Sequence, residues 1–151
     1  MSASNGRATL HLPEFVPFRL NRLAVAVSDH LSAIYRERFG LQIPEWRVMA
    51  TVGLVRDCTA RYVGESTRMH KTRVSRAIAA LVRRGLVERA PRASDKREMP
   101  LRLTRMGRRM YTALVPLALE REQALLVCLT TAQRHAFQQC LGRLEEFLGL
   151  A

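Results

Sequence analysis

Cysteine is scarce in this chain of 151 residues: Cys58, Cys128 and Cys140 are the only three, and none belongs to a C-x-x-C pair. That excludes a disulfide framework, and apolar-flanked thiols read as packing residues rather than as redox switches. The four histidines, His11, His30, His70 and His135, are scattered without ligand spacing, so no metal site is expected. Eight Gly and six Pro are too few for a collagen-like or low-complexity chain. No apolar run approaches the roughly 18 residues of a membrane span. The first residues, MSASNGRATLHLPEF, contain no apolar core of a secretory signal, so a cytoplasmic location is expected. G-x-S-x-G, P-loop and G-x-G-x-x-G signatures are missing, as is any paired His/acid constellation. No catalytic residue and no required cofactor are therefore expected, and an enzyme is not the reading.

Acidic residues are also in short supply, 13 against 25 Lys and Arg, which gives a formal charge of +12. The imbalance is concentrated. Residues 61–109 hold fifteen Lys and Arg against four acids, whereas 1–60 carry seven Arg against five acids and 110–151 three Arg against four Glu. A basic block between near-neutral flanks points to a polyanionic partner. Tyr62 is the only aromatic residue in that block, which argues against the stacking platforms of RNA-binding modules. The block also lacks the Trp/Phe/Leu face that a membrane-surface role would require. Double-stranded DNA is the partner that remains. An RNA-binding basic protein is the weaker alternative.

The apolar spacing predicts a mainly α protein. A tail covers 1–12. Leu20, Leu23, Ala24, Val27, Leu31, Ile34 and Tyr35 recur at helical steps between Phe15 and Phe39, and Gly40 is a stop signal. Pro44 can open a second helix reaching about residue 56. A short helix follows over Thr59–Ser66, then another over His70–Arg84, closed by Gly85. LVERA (86–90) and MPLRL (99–103) alternate around a polar stretch, the pattern of a two-stranded hairpin with a long tip. Thr104 can cap a helix to about Leu129, kinked at Pro116, and Thr130 or Thr131 a last one to about Leu148. The expected organisation is a DNA-binding unit over 44–103, a winged helix-turn-helix, flanked by helical segments 13–43 and 104–151.

On a helical wheel of 70–84, Val74, Ala77, Ile78 and Leu81 form an apolar back. Thr72 and Arg76 oppose it, with Arg73 and Ser75 on the shoulders. Such a slim polar front fits a major groove, where Arg reads guanine and Ser or Thr reaches base edges or phosphates. The hairpin tip presents Arg92, Asp95, Lys96 and Arg97. An Arg there can enter a narrow minor groove, and Asp95 can orient Arg97.

Residues 69–109 resemble the MarR-type winged-helix transcriptional regulators. The resemblance rests on K-T-x-V-S-R at 71–76, R-G-L-V at 84–87, D-x-R at 95–97 and L-T-x-x-G-R at 103–108. It implies that Lys71, Thr72, Arg73, Ser75 and Arg76 contact DNA from the recognition helix, and that Arg97 enters the minor groove. It also implies a homodimer built by the terminal helices, reading an inverted repeat as a repressor. The stretches F-V-P-F-R-L-N-R-L and I-P-E-W-R-V resemble members that sense aromatic acids in aromatic-compound catabolism, including hydroxycinnamates and their CoA thioesters. That likeness implies a small-molecule effector, an aromatic carboxylate or acyl-CoA, held among Phe15, Phe18, Arg19, Arg22, Tyr35, Arg36, Arg38 and Trp46. The alternatives within the same class are regulation without a ligand or through a thiol.

Overall fold

The computed structural model describes residues 9–90 and 99–150. The mainly helical architecture expected from the periodicity is what forms. A 3-10 turn, Leu12–Glu14, leads into α1 (Val16–Phe39). Then follow α2 (Ile43–Leu54), α3 (Ala60–Thr67), α4 (Lys71–Arg83), the antiparallel pair β1 (Val87–Arg89) and β2 (Leu101–Leu103), α5 (Arg105–Leu125) and α6 (Thr131–Phe147). The tail expected over 1–12 lies outside the described residues as far as residue 8, and Leu12 already belongs to the 3-10 turn.

The boundaries have local causes. Gly40 adopts φ 61°, so α1 ends in a left-handed cap in which Gly40 N–H reaches the Arg36 carbonyl and Leu41 N–H the Tyr35 carbonyl. At the start of α2 the Glu45 carboxylate accepts from Gln42 N–H at 3.0 Å, a cap formed by a side chain inside the helix. Thr59 Oγ1 accepts from Tyr62 N–H, and Thr104 Oγ1 from Gly107 N–H. α5 runs through Pro116 as one helix. It stops at Leu125, short of the expected Leu129, and a 3-10 turn Leu126–Cys128 finishes it.

The core sits where α2, α3, α4 and the hairpin meet. Met49, Val63, Ile78, Leu81 and Leu86 are almost wholly buried, joined from the hairpin by Val87 and Leu101 and from α5 by Leu114. In the hairpin Val87 pairs with Leu103 and Arg89 with Leu101. Leu101 N–H also donates to the Cys58 carbonyl at 2.7 Å, which ties the α2–α3 connection to the edge of the sheet. α6 behaves differently. None of its residues is buried, and it packs substantially on no other element among the described residues.

Candidate nucleic-acid interface

α4 is positioned by its own amphipathicity. Val74, Ala77, Ile78 and Leu81 are buried against α2 and α3, which leaves Lys71, Thr72, Arg73, Ser75 and Arg76 exposed together. His70 begins the helix: its Nδ1 accepts from Thr72 N–H at 3.3 Å, so the imidazole takes the capping role a carboxylate or hydroxyl usually fills. The first turn of α4 holds Lys71 and no acid. A cationic start opposes the helix dipole and is relieved when an anion approaches.

Beside this face lies a groove of about 470 Å³ between α3, α4 and β1, lined by Arg61, Glu65, Lys71, Ser75 and Arg89 among others. Arg61 Nε donates to Glu65 Oε1 at 2.8 Å. Sequence reading missed Arg89 here. Strand alternation carried the signal, because Arg89 is two residues from the buried Val87 and shares its side of the hairpin. A second groove, about 500 Å³, runs on the other flank of α4 between Pro44, Glu45, Thr72, Arg73 and Arg76. The four expected tip contacts, Arg92, Asp95, Lys96 and Arg97, lie outside the described residues.

Within one chain the eight residues expected to hold an effector fall into separate groups. Phe15 lies just before α1 and Phe18, Arg19 and Arg22 in its opening turns, with the Arg22 guanidinium 5.4 Å over the Phe18 ring. Tyr35 lies twenty residues beyond Phe15, about 30 Å away at the helical rise. There Tyr35 stacks on Trp46 at 5.5 Å, and Trp46 in turn on Tyr111 at 6.4 Å. The three rings form a ladder at the corner of α1, α2 and α5. Tyr111 was missed because nothing local in the sequence links it to residues 35 and 46. Gly53 makes the ladder possible, since a Cβ there would stand 2.7 Å from the Tyr111 ring.

Cations border the ladder. Arg36 donates to Ser32 Oγ at 2.7 Å and Arg47 to Ser28 Oγ at 3.3 Å. Burial pushes the Tyr35 phenol above its ordinary value, while Arg47 and Arg36 pull the other way. Arg38 faces a separate groove with Glu37, Glu120 and Arg121. Cys58 is buried, and burial pushes its thiol up to about 11, whereas Cys128 and Cys140 are exposed. Among the described residues no cluster of His, Cys, Asp and Glu could hold a metal, and no helix is long and apolar enough to cross a membrane.

A family model described as MarR family matches residues 39–98. No curated protein matches by sequence. Among solved structures, a MarR/EmrR family transcriptional regulator from Acinetobacter sp. ADP1 is 25% identical, with 94% of this chain and 100% of that one covered at a TM-score of 0.84. A MarR-family protein from Listeria monocytogenes, solved with a 26mer DNA, shares the fold at 16% identity, 89% coverage of each chain and a TM-score of 0.78. The Mycobacterium tuberculosis MarR family protein Rv2887, solved with salicylic acid, shares it at 20% identity, 92% and 98% coverage and a TM-score of 0.70.

Proposed function

We propose that this chain, whose residues 39–98 match a MarR-family model and which shares the winged-helix fold of such regulators, is a DNA-binding regulator of transcription that represses as a homodimer on an inverted-repeat operator and is released by a small aromatic acid. The observation that carries the DNA reading is the split of α4 into a buried apolar back and an exposed front of Thr72, Arg73, Ser75 and Arg76. In this reading α4 enters the major groove, Arg97 of the hairpin tip, oriented by Asp95, enters the minor groove, and Lys71 and Arg89 meet phosphates.

The dimer reading is supported by apolar surface at both ends of the chain. Leu20, Leu23, Phe137, Leu144, Phe147 and Leu148 are all exposed in the single chain. α6 has no buried residue and packs substantially on no other element among the described residues, so its apolar side chains need a partner surface. Two-fold symmetry then spaces the two α4 helices one duplex turn apart, about 34–36 Å.

The effector reading rests on the Tyr35–Trp46–Tyr111 ladder with Arg36 and Arg47 beside it, aromatic walls and cations that suit a planar carboxylate. The salicylic acid of the Mycobacterium relative is such a compound. Phe15, Phe18, Arg19 and Arg22 would meet the longer part of a CoA thioester only if supplied by the partner subunit. A ligand lowers operator affinity only by preferring the dimer whose α4 helices are wrongly placed, and a coupling of about 1–3 kcal/mol gives roughly a 5–150-fold loss.

Two titrations test the proposal. Duplexes selected from a random pool should be inverted repeats, and salicylate or a hydroxycinnamate should weaken their binding. Trp46 is the chain's single tryptophan, so its emission should change over the same concentrations. A duplex affinity that no aromatic acid or acyl-CoA alters, with constant Trp46 emission, would reject the effector half and leave the DNA half standing.

A further inference from the structure

The R-G-L-V stretch contains a side chain that neither the groove-facing front nor the aromatic corner uses. Arg84 lies one residue beyond α4, yet its guanidinium points back to the end of α1. Nη2 donates to the Phe39 carbonyl at 2.7 Å and Nη1 to the Gly40 carbonyl at 2.9 Å. Nη1 also stands 3.7 Å from the Glu45 carboxylate, whose same oxygen accepts from Gln42 N–H at the start of α2. One planar cation therefore binds the last carbonyls of one helix, 44 and 45 residues away in sequence, and stands beside the capping acid of the next. Carbonyls at a helix C-terminus favour a cation, and a guanidinium reaches two of them in fixed geometry, as an ammonium does not.

The position of this bridge matters as much as its bonds. Tyr35, whose carbonyl takes the Leu41 N–H in the α1 cap, stacks on Trp46, and Trp46 directly follows Glu45. At its other end Arg84 closes α4, its own N–H held by the Ala80 carbonyl and Leu86 N–H by that of Leu81. We propose that Arg84 is a positioning residue: it straps the C-terminal end of the recognition helix to the α1–α2 corner, so the pose of α4 on DNA is set from the aromatic ladder. The inference rests on the DNA-binding reading and deepens it. Movement of α1 against α2 at the Tyr35–Trp46 contact would reach the C-terminal end of α4 through this side chain, in addition to the packing of α4 on α2.

The test uses the full chain and three variants, Arg84→Ala, Arg84→Lys and Glu45→Gln. Gln at 45 can still accept from Gln42 N–H, so that variant keeps the cap while losing the ion pair. The probe is the inverted-repeat duplex selected by the wild-type chain. Arg84→Ala should bind it about tenfold more weakly, with Arg84→Lys and Glu45→Gln in between, and the dependence of binding on salt should keep its slope. A slope lowered by about one would mean that Arg84 meets a phosphate, and would overturn the proposal. In the free protein, hydrogen exchange should quicken together at Gly40 and Leu41 and at Gly85 and Leu86 in all three variants. Exchange unchanged, or faster at one end alone, would equally overturn it, even if Arg84→Ala proves unstable and only the conservative pair can be measured. If the wild-type chain selects no duplex, the DNA reading fails, and the paired exchange alone decides whether the strap exists.

Discussion

At the scale of single residues, what a side chain does follows from which neighbour it has lost or gained. Arg76 is exposed at the centre of the α4 front, with no acid on its own face of the helix to neutralise it. If it reads a guanine, Arg76→Ala should cost about 1–3 kcal/mol of discrimination and relax preference at one base pair, whereas loss of a phosphate contact would weaken all sequences equally. Binding to a set of single-base operator variants separates the two. Cys58 gives a prediction of another kind. Its folded thiol stays protonated up to about 11, above the ordinary 9.0, because it is buried. The unfolded chain therefore releases that proton first. The contribution to stability is complete below about pH 9 and is lost as pH rises from 9 towards 11, the direction in which Tyr35 also acts. Denaturation midpoints should fall across that window and fall less in Cys58→Ala. Labelling at pH 8 should leave Cys58 unmodified in the folded protein.

At the scale of elements, the junction of α5 with the α4–β1 connection is closely packed. Thr104 accepts from Gly107 N–H and donates to the Gly85 carbonyl at 2.6 Å, so one hydroxyl caps α5 and holds the end of α4. At Gly107 the two segments touch, and a Cβ there would lie 1.9 Å from the Leu86 carbonyl oxygen. That neighbour is backbone and cannot rotate away. Gly107→Ala should therefore cost about 3 kcal/mol or more, at or beyond the upper end of ordinary overpacking, and a denaturant titration would show it. The L-T-x-x-G-R stretch thus contains a cap and a close approach. The cap was legible in the sequence because Thr104 and Gly107 are three residues apart. The close approach was not, since it depends on how α5 crosses the α4–β1 connection.

At the scale of the whole molecule, the single chain is unevenly finished. The winged-helix unit is packed, while α6 and the first turns of α1 expose leucines and phenylalanines. Leu114, one of the apolar residues of the C-terminal region, is wholly buried within the chain itself, so it belongs to the core and not to an interface. Phe147 is 86% exposed and Leu144 45%. Charges at these two positions should leave the winged-helix unit folded and shift the chain from dimer to monomer. Sedimentation equilibrium of Leu144→Glu and Phe147→Glu would show the change, with operator affinity falling as the second half-site is lost. A monomeric wild-type chain would remove the basis for the inverted repeat.

The helices, the caps at Thr104 and Thr130, the left-handed stops at Gly40 and Gly85, the hairpin and the outward front of α4 were legible in the order of residues. Each of these follows from neighbours within about four positions or from a period of 2 or 3.6. The basic block was legible too, because charge needs no fold to be counted. Only the tertiary structure decided which residues distant in sequence became neighbours. It stacked Trp46 between Tyr35 and Tyr111, separated that ladder from Phe15 and Phe18, brought Arg89 to the groove that Lys71 lines, and turned Arg84 towards Phe39 and Gly40. Those adjacencies depend on the angles and offsets at which helices cross, and a shared core sets them all at once.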